Sequence, residues 1–338
     1  MKDEKVLLSH GTGGKQSRVL IEELILKYFS DPVLKNLPDS ASVKFSSVQD
    51  EICFTTDSFV VNPVFFPGGD IGRLAVCGTI NDLAVVGAEP IYLSCSFIIE
   101  EGFKLAELEK ILRSMAVEAK NAGVRIVTGD TKVVEKGKAD GIFITTSGIG
   151  IKQAGAPAGI EKIEPGDLII LSGVPGMHEL SIICARGNFK IKSDLKSDCA
   201  PINYLVSDML KASKHIKFMR DPTRGGLAAI LNEVAIGCNF GLKIYEDKIP
   251  QTEATRSLCE IFGFDILNLA CEGRVVAVVA PRDADKVVSV MRKHSMARKA
   301  AVIGKVVPEF RGKVVMETIN GSQRFILMPS GRQLPRIC

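Results

Sequence analysis

From about residue 43 the chain falls into short apolar blocks of two kinds. ICFTTDSFVV (52–61), IYLSCSFII (91–99), VRIVTGD (124–130) and GIFITTSGIG (141–150) read as strands, most of them rich in β-branched and aromatic residues. Between them, GRLAVCGTINDLAVVG (72–87) has the small and apolar residues of a tightly packed helix. LAELEKILRSMAVEAKNAG (105–123) spaces its apolar residues at helical intervals and ends on Gly123, a residue suited to stopping a helix. Upstream, VLL (6–8) reads as a strand. The loop HGTGGK (10–15) follows, then an amphipathic helix through about Phe29 that Asp31-Pro32 closes.

The Gly/Pro-bearing stretch AGAPAGIEKIEPGD (154–167) separates this half from a second one. There the pattern resumes with the strand DLIILSG (167–173) and a helix from Met177 to Arg186. Two helical regions follow near 200–215 and 225–237, then strands in FGLKIYED and RVVAVVAP and a helix near 283–294. KVVMETI and QRFILM predict two last strands before a polar tail, PSGRQLPRIC. The expected organisation is a loop and helix over 1–42, an α/β domain over 43–154, a second over 155–309, and strands with a mobile tail over 310–338. The fold class is α/β (α+β) in two domains.

At 338 residues and 46% hydrophobic, the chain can bury two cores, which agrees with that division. Its net charge of +4 is spread without a Lys/Arg block, and it has no Trp and only 4 Tyr. Nucleic-acid and membrane-surface binding are therefore not expected. No run reaches the ~18 apolar residues of a membrane span, and the first residues lack a secretory apolar region. A cytoplasmic location follows. None of the nine cysteines is spaced as CxxC, and the four histidines show no paired spacing, so a structural zinc site is not expected.

Candidate chemistry lies in five places. Asp57 follows hydroxyls in TTDS, Asp82 lies in the helix-like run, and Asp130-Thr131-Lys132 ends a strand. Carboxylate oxygens hold Mg²⁺, and lysine or amide donors hold phosphate, so the three turns together suggest a nucleotide–Mg²⁺ site. Taken singly, an Asp after a strand is usually a cap or turn residue. HGTGGK is no Walker A loop, although its glycines can offer amides to an anion. In DPTRGG (221–226), Asp221 and Thr223 can cap the next helix, Gly225 allows close backbone approach, and Arg224 can fork onto phosphate. Glu272, in CEGR, is a candidate general base or an exposed turn carboxylate. Cys338 offers a sulfur at the end of a tail that can travel between sites.

Together these segments resemble the HypE family of hydrogenase maturation proteins. The motifs that carry the resemblance are HGTGGK, TTDSFVVNPVFFPGGDIGRLAVCGTINDLAVVGA, TGDTKVV, SDCAP, DPTRGG, EGR and PRIC, over essentially the whole length. DPTRGG alone marks only the wider aminoimidazole ribonucleotide synthetase-like ATP-binding superfamily. The resemblance implies that superfamily's two-domain fold, ATP with Mg²⁺, and a homodimer joined through the N-terminal sheets. It also implies a reaction. A carbamoyltransferase, HypF, loads a carbamoyl group onto Cys338, ATP activates its oxygen, and loss of phosphate leaves a thiocyanate. The cyano group then passes to iron on a HypC–HypD scaffold. On this view Asp57, Asp82 and Asp130 bind metal, Thr131, Arg224 and Gly225 bind nucleotide, Lys132 assists the transfer, and Glu272 is the base. Met177 stands where the family usually has Asp. Two other readings stay open: a small-molecule synthetase or kinase of the superfamily, and a non-catalytic scaffold whose tail docks a partner.

Overall fold

The computed structural model describes residues 4–11, 19–32, 51–187, 193–329, 334 and 336–338. Most of HGTGGK lies outside them, with only His10 and Gly11 inside. VLL is not a strand: Leu8–Gly11 forms a 3-10 turn, and the first helix runs from Ile21–Ile25 into Leu26–Tyr28, short of Asp31-Pro32.

The first half is built from β1 (Ile52–Phe59), a hairpin of β2 (Phe65–Phe66) and β3 (Gly69–Asp70), α1 (Ile71–Val85), β4 (Ala88–Glu100), α2 (Leu105–Ala122), β5 (Arg125–Val134) and β6 (Ile142–Lys152). Four strands form one sheet in the order β1-β6-β4-β5. β4 and β5 are parallel, because α2 crosses between them, and the other pairs are antiparallel. Along β1 the even positions are exposed and the odd ones turned inward, the alternation of a sheet with one covered face. α1 and α2 supply the cover. Asp70 starts α1 by accepting the Gly72 and Arg73 amides at 2.8 and 3.1 Å. Gly72 lets α2 approach, since a Cβ there would lie 2.7 Å from Ile111 and Met115.

The second half contains β7 (Leu168–Leu171), α3 (Met177–Ala185), α4 (Asn203–Ala212), β8 (Ile216–Arg220), α5 (Gly226–Cys238), β9 (Gly241–Tyr245), α6 (Glu253–Phe262), β10 (Val276–Val279), α7 (Pro281–Met291), β11 (Ala301–Val307), β12 (Val314–Glu317) and β13 (Gln323–Ile326). Its seven strands run in the order β13-β12-β9-β11-β7-β10-β8. The central strands LIIL and VAVV are apolar throughout because both faces of the sheet are covered. Ile169, Leu171, Val276 and Val278 enter one core, while Ile170, Ala277 and Val279 enter the other. The pattern along the chain did not reveal β8 or α6, and β12 and β13 belong to this sheet rather than standing apart.

The halves meet at α1. Asn81, 1% exposed, donates from Nδ2 to the carbonyls of Ala200 and Glu272 at 3.2 and 3.1 Å. Its Oδ1 accepts the Ile202 amide at 2.9 Å. Every group of this buried amide that can bond across the joint does so, which fixes the loop carrying Glu272 against the first domain.

Candidate functional site

Two cavities share one wall. The larger, about 740 Å³, is lined by Cys338, Arg224, Gly225, Glu179 and the apolar residues before the tail. The second, about 410 Å³, is lined by Thr55, Asp82, Asp221, Thr223 and again Arg224. Arg224 therefore stands between the sulfur and a group of carboxylates.

The acidic cavity arises where β1 crosses α1. Asp57 lies on the covered face of β1, its carboxylate 3.7 Å from where a Cβ on Gly78 would stand. One helical turn later comes Asp82, which accepts a hydrogen bond from Thr55 at 2.9 Å. From the second half, the loop after β8 adds Asp221. Burial holds the carboxyls of Asp57 and Asp82 above their usual range, and Asp82 repels Asp57 further. Asp221 is pushed up to about 7 by burial and by the charges of Asp82 and Asp57.

Asp221 was expected to cap α5, yet that helix has no side-chain cap. Its start is shaped by Gly225 and Gly226, with φ of 80° and 60°, and a Cβ on Gly226 would lie 2.6 Å from the Leu267 and Leu269 carbonyls. The loop thus packs against the segment leading to Glu272. This crowding of carboxylates is testable without ligand. The folded-state pKa of Asp221 lies above the usual 3.8, so folding retains a proton that the unfolded chain releases. The resulting stability is complete below about pH 4 and falls as pH rises toward 7. We expect Asp221→Asn to stabilise the nucleotide-free protein by about 1–4 kcal/mol at pH 8 and negligibly near pH 4. Thermal melts at the two pH values check it; equal shifts at both would contradict the charge argument.

Asp130 does not join this group. Reading across the sheet, Asp57 pairs with Thr146, then Cys95, then Gly129, whereas Ser58 pairs with Thr145, Ser96 and Asp130. Neighbours in register share a face, so Asp57 and Asp130 lie on opposite faces. The expected set of three metal-binding aspartates is therefore not gathered within one chain. Among the described residues no cluster of three or more His, Cys, Asp or Glu is arranged to hold a metal. Asp130 and Lys132 pair at 2.7 Å on the exposed face, which holds the Asp130 carboxyl below its usual range, and the Thr131 amide donates to it at 2.8 Å.

Glu272 is 2% exposed, so it is not an open turn residue. Its amide donates to Asp198 Oδ1 at 3.3 Å, and its carbonyl accepts from Ala200 and Asn81 at 3.3 and 3.1 Å. The backbone is pinned while the carboxyl atom Oε1 has no hydrogen-bond partner. Burial, followed by the negative surroundings of Cys199, Asp221 and Asp198, raises its pKa well above 4.5. A buried carboxyl left unbonded and basic is a common feature of catalytic sites.

The tail lies inward. The Val60 amide donates to the Cys338 carbonyl at 3.3 Å, the Asn62 amide to that of Arg336 at 3.1 Å, and Arg336 Nε returns to the Val60 carbonyl at 2.7 Å. Ile337 is buried in the first domain's core with Cys338 against it. The thiol is pushed up to about 12 by burial and by Glu272, with Arg224 opposing. Cys338, Glu272, Arg224 and Asp57 are thus brought to one place from both halves. Met177 sits away from them, its sulfur 3.5 Å from the Arg274 guanidinium.

Comparison with known proteins bears on this arrangement. Models of AIR synthase related protein match residues 38–152 for the N-terminal domain and 164–317 for the C-terminal domain. Carbamoyl dehydratase HypE of Rhodobacter capsulatus is 46% identical over 338 residues, covering 100% of this chain and 99% of its own. A crystal structure of hydrogenase maturation protein HypE in complex with ATP superposes with a TM-score of 0.93 at 42% identity, covering 98% of this chain and 99% of that one. A chain of a crystal structure of a HypE–HypF complex matches with a TM-score of 0.80 at 45% identity, covering 92% of this chain and 99% of that one.

Proposed function

The chain belongs to the carbamoyl dehydratase HypE family, and from that premise we propose that its site dehydrates a carbamoyl group carried on the Cys338 sulfur. The observation that carries this reading is the meeting of that sulfur with Glu272 and Arg224 beside an acidic cleft. An amide oxygen is a poor leaving group, so it must be activated. The carbamoyl oxygen takes the γ-phosphoryl group of ATP, two protons leave nitrogen over the reaction, and phosphate departs to leave S–C≡N. Glu272 accepts a nitrogen proton, and Arg224 steadies charge on the transferring group. The product supplies the cyanide ligand for the hydrogenase iron centre.

The residues fit a metal that arrives with phosphate. Mg²⁺ bound to nucleotide needs only one or two protein carboxylates, and Asp57 and Asp82 crowd each other in a way that a cation relieves. There the ion would neutralise phosphate charge. Asp130 and Lys132 face out of the N-terminal sheet on one edge strand, and exposed Ile52 and Phe54 lie on the same face along the opposite edge strand, β1. We read that face as the contact of a homodimer, and a part for Lys132 in phosphate transfer requires a second copy to close it. HypF is the loading partner on this reading and HypC–HypD the acceptor. Among the described residues no helix is long and apolar enough to cross a membrane.

The test is the intact mass of the protein after incubation with HypF, carbamoyl phosphate and Mg-ATP. A carbamoyl-sized gain, then a water-sized loss that depends on ATP, is expected. An unmodified mass beside demonstrably active HypF would rule the reading out and leave the small-molecule kinase as the next candidate.

A further inference from the structure

The docked tail is held by more than its strand-like contact with residues 60–62. Arg186, at the end of α3, donates from Nη2 to the Arg336 carbonyl at 2.7 Å and from Nε to that of Asn62 at 2.8 Å. At the start of α3, His178 is wholly buried, with both ring nitrogens engaged. Its Nε2 lies 2.8 Å from the Ile337 carbonyl and its Nδ1 2.8 Å from Ser197 Oγ.

A carbonyl can only accept, so Nε2 carries the proton. Burial disfavours a charged ring, which leaves Nδ1 as an acceptor, and the Ser197 hydroxyl donates to it. That hydroxyl oxygen in turn accepts the Cys199 amide at 3.0 Å. Phe66 stands edge-on to the ring, centroids 5.4 Å apart, and limits its rotation.

The next links reach the base. Asp198, between Ser197 and Cys199, accepts the Glu272 amide, and the Ala200 amide donates to the Glu272 carbonyl. One line of hydrogen bonds and adjoining backbone therefore runs from the Ile337 carbonyl through His178 and Ser197 to Glu272. We propose that His178 is a positioning residue that latches the docked tail and places Cys338 against Glu272. When the tail leaves, a buried N–H loses its acceptor, and leaving a buried donor unmet is costly. His178 thereby favours the docked state in the isolated chain. The catalytic half of this inference rests on the dehydratase reading, whereas the latch itself does not.

The experiment measures alkylation of Cys338 by N-ethylmaleimide in the full chain, followed by mass of its C-terminal peptide, without HypF or ATP. His178→Ala should speed it by about tenfold, the effect of losing one buried hydrogen bond. His178→Gln should stay near wild type, because its amide Nε2–H can stand where the ring Nε2–H stood. His178→Asn reaches only the Nδ1 position and should resemble Ala. In single turnover of the carbamoylated protein the order should reverse, His178→Ala and His178→Asn dehydrating more slowly than wild type and His178→Gln, with the dependence on ATP concentration unchanged. Equal alkylation in wild type and His178→Ala, or Asn protecting as well as Gln, overturns the latch. If His178→Ala does not fold, Ser197→Ala removes one hydroxyl and should speed alkylation by about threefold; no change there overturns it equally. Alkylation needs no carbamoyl chemistry, so failure of the latch and failure of the dehydratase reading give different results.

Discussion

Cys338→Ala should abolish both the mass gain on loading and any ATP-dependent loss, with no residual labelling on the other eight cysteines. The expectation rests on where those eight lie. Cys95, Cys199 and Cys271 are fully buried with thiols pushed far up, Cys259 is pushed up to about 11, Cys77 is wholly buried, and burial also raises the thiols of the half-buried Cys53, Cys184 and Cys238. The thiolate is the nucleophile, so none of these competes for an activated carbamoyl group. Cys338 itself, at about 12 in the docked position, is as unreactive there as they are. What separates it is that it ends a tail held by a few hydrogen bonds and one buried side chain, Ile337, so its withdrawal would expose the sulfur while both sheets stay intact. On the proposed reading, loading belongs to the withdrawn tail and dehydration to the docked one. The variant should keep its fold, because the Val60 amide bonds the backbone carbonyl rather than the sulfur. Carbamoylation of the alanine variant at another site would contradict this account.

Glu272→Gln should load normally and then dehydrate slower by about 10²–10⁴-fold, the usual range for a positioned general base. Glutamine retains the shape and leaves the backbone bonds to Asp198, Ala200 and Asn81 untouched. A base must be ionised to act. Since the Glu272 pKa lies well above 4.5, the wild-type rate should still be climbing with pH above the range where an ordinary carboxylate is already charged, and level off once this carboxyl is charged. In the glutamine variant that limb should vanish. Single-turnover rates on carbamoylated protein from pH 5 to 9 would read both effects. A variant as fast as wild type, or one retaining the rising limb, would remove Glu272 as the base.

Much of this fold could be read along the chain because its signals are local. Alternation in ICFTTDSF and the helical spacing in LAELEKILRSMAVEAKNA depend only on which side of an element meets solvent. β8 and α6 escaped for the converse reason. IKFMR is short, with only Ile216 and Met219 buried and a charged residue, Arg220, at its one exposed position, and EATRSLCEIF buries only Thr255, Leu258 and Cys259. Their places are decided by the sheet and core they join.

The site divides in the same way. Asp57, Asp82, Arg224, Glu272 and Cys338 are each visible along the chain as residues that can do chemistry, and the fold brings them near one another. Asp130 was grouped with them because it too ends a strand beside a hydroxyl, but its face depends on register, and a shift of one residue reverses a side chain. Asp221 had a recognisable motif and an incomplete role, since a cap residue and a buried carboxylate look alike until burial is known. His178, Arg186 and Asn81 had no signal, lying singly in apolar or mixed runs.

Two α/β halves, the family and a set of candidate reactive groups are legible along the chain, because periodicity and motif are properties of neighbouring residues. Only tertiary contacts settle which carboxylates share a cleft, that Glu272 is buried with its Oε1 unbonded, and that the tail docks on His178 and Arg186. Those outcomes depend on strand register, burial and contacts between residues far apart in the chain, and the electrostatic consequences of burial exist only once water has been excluded.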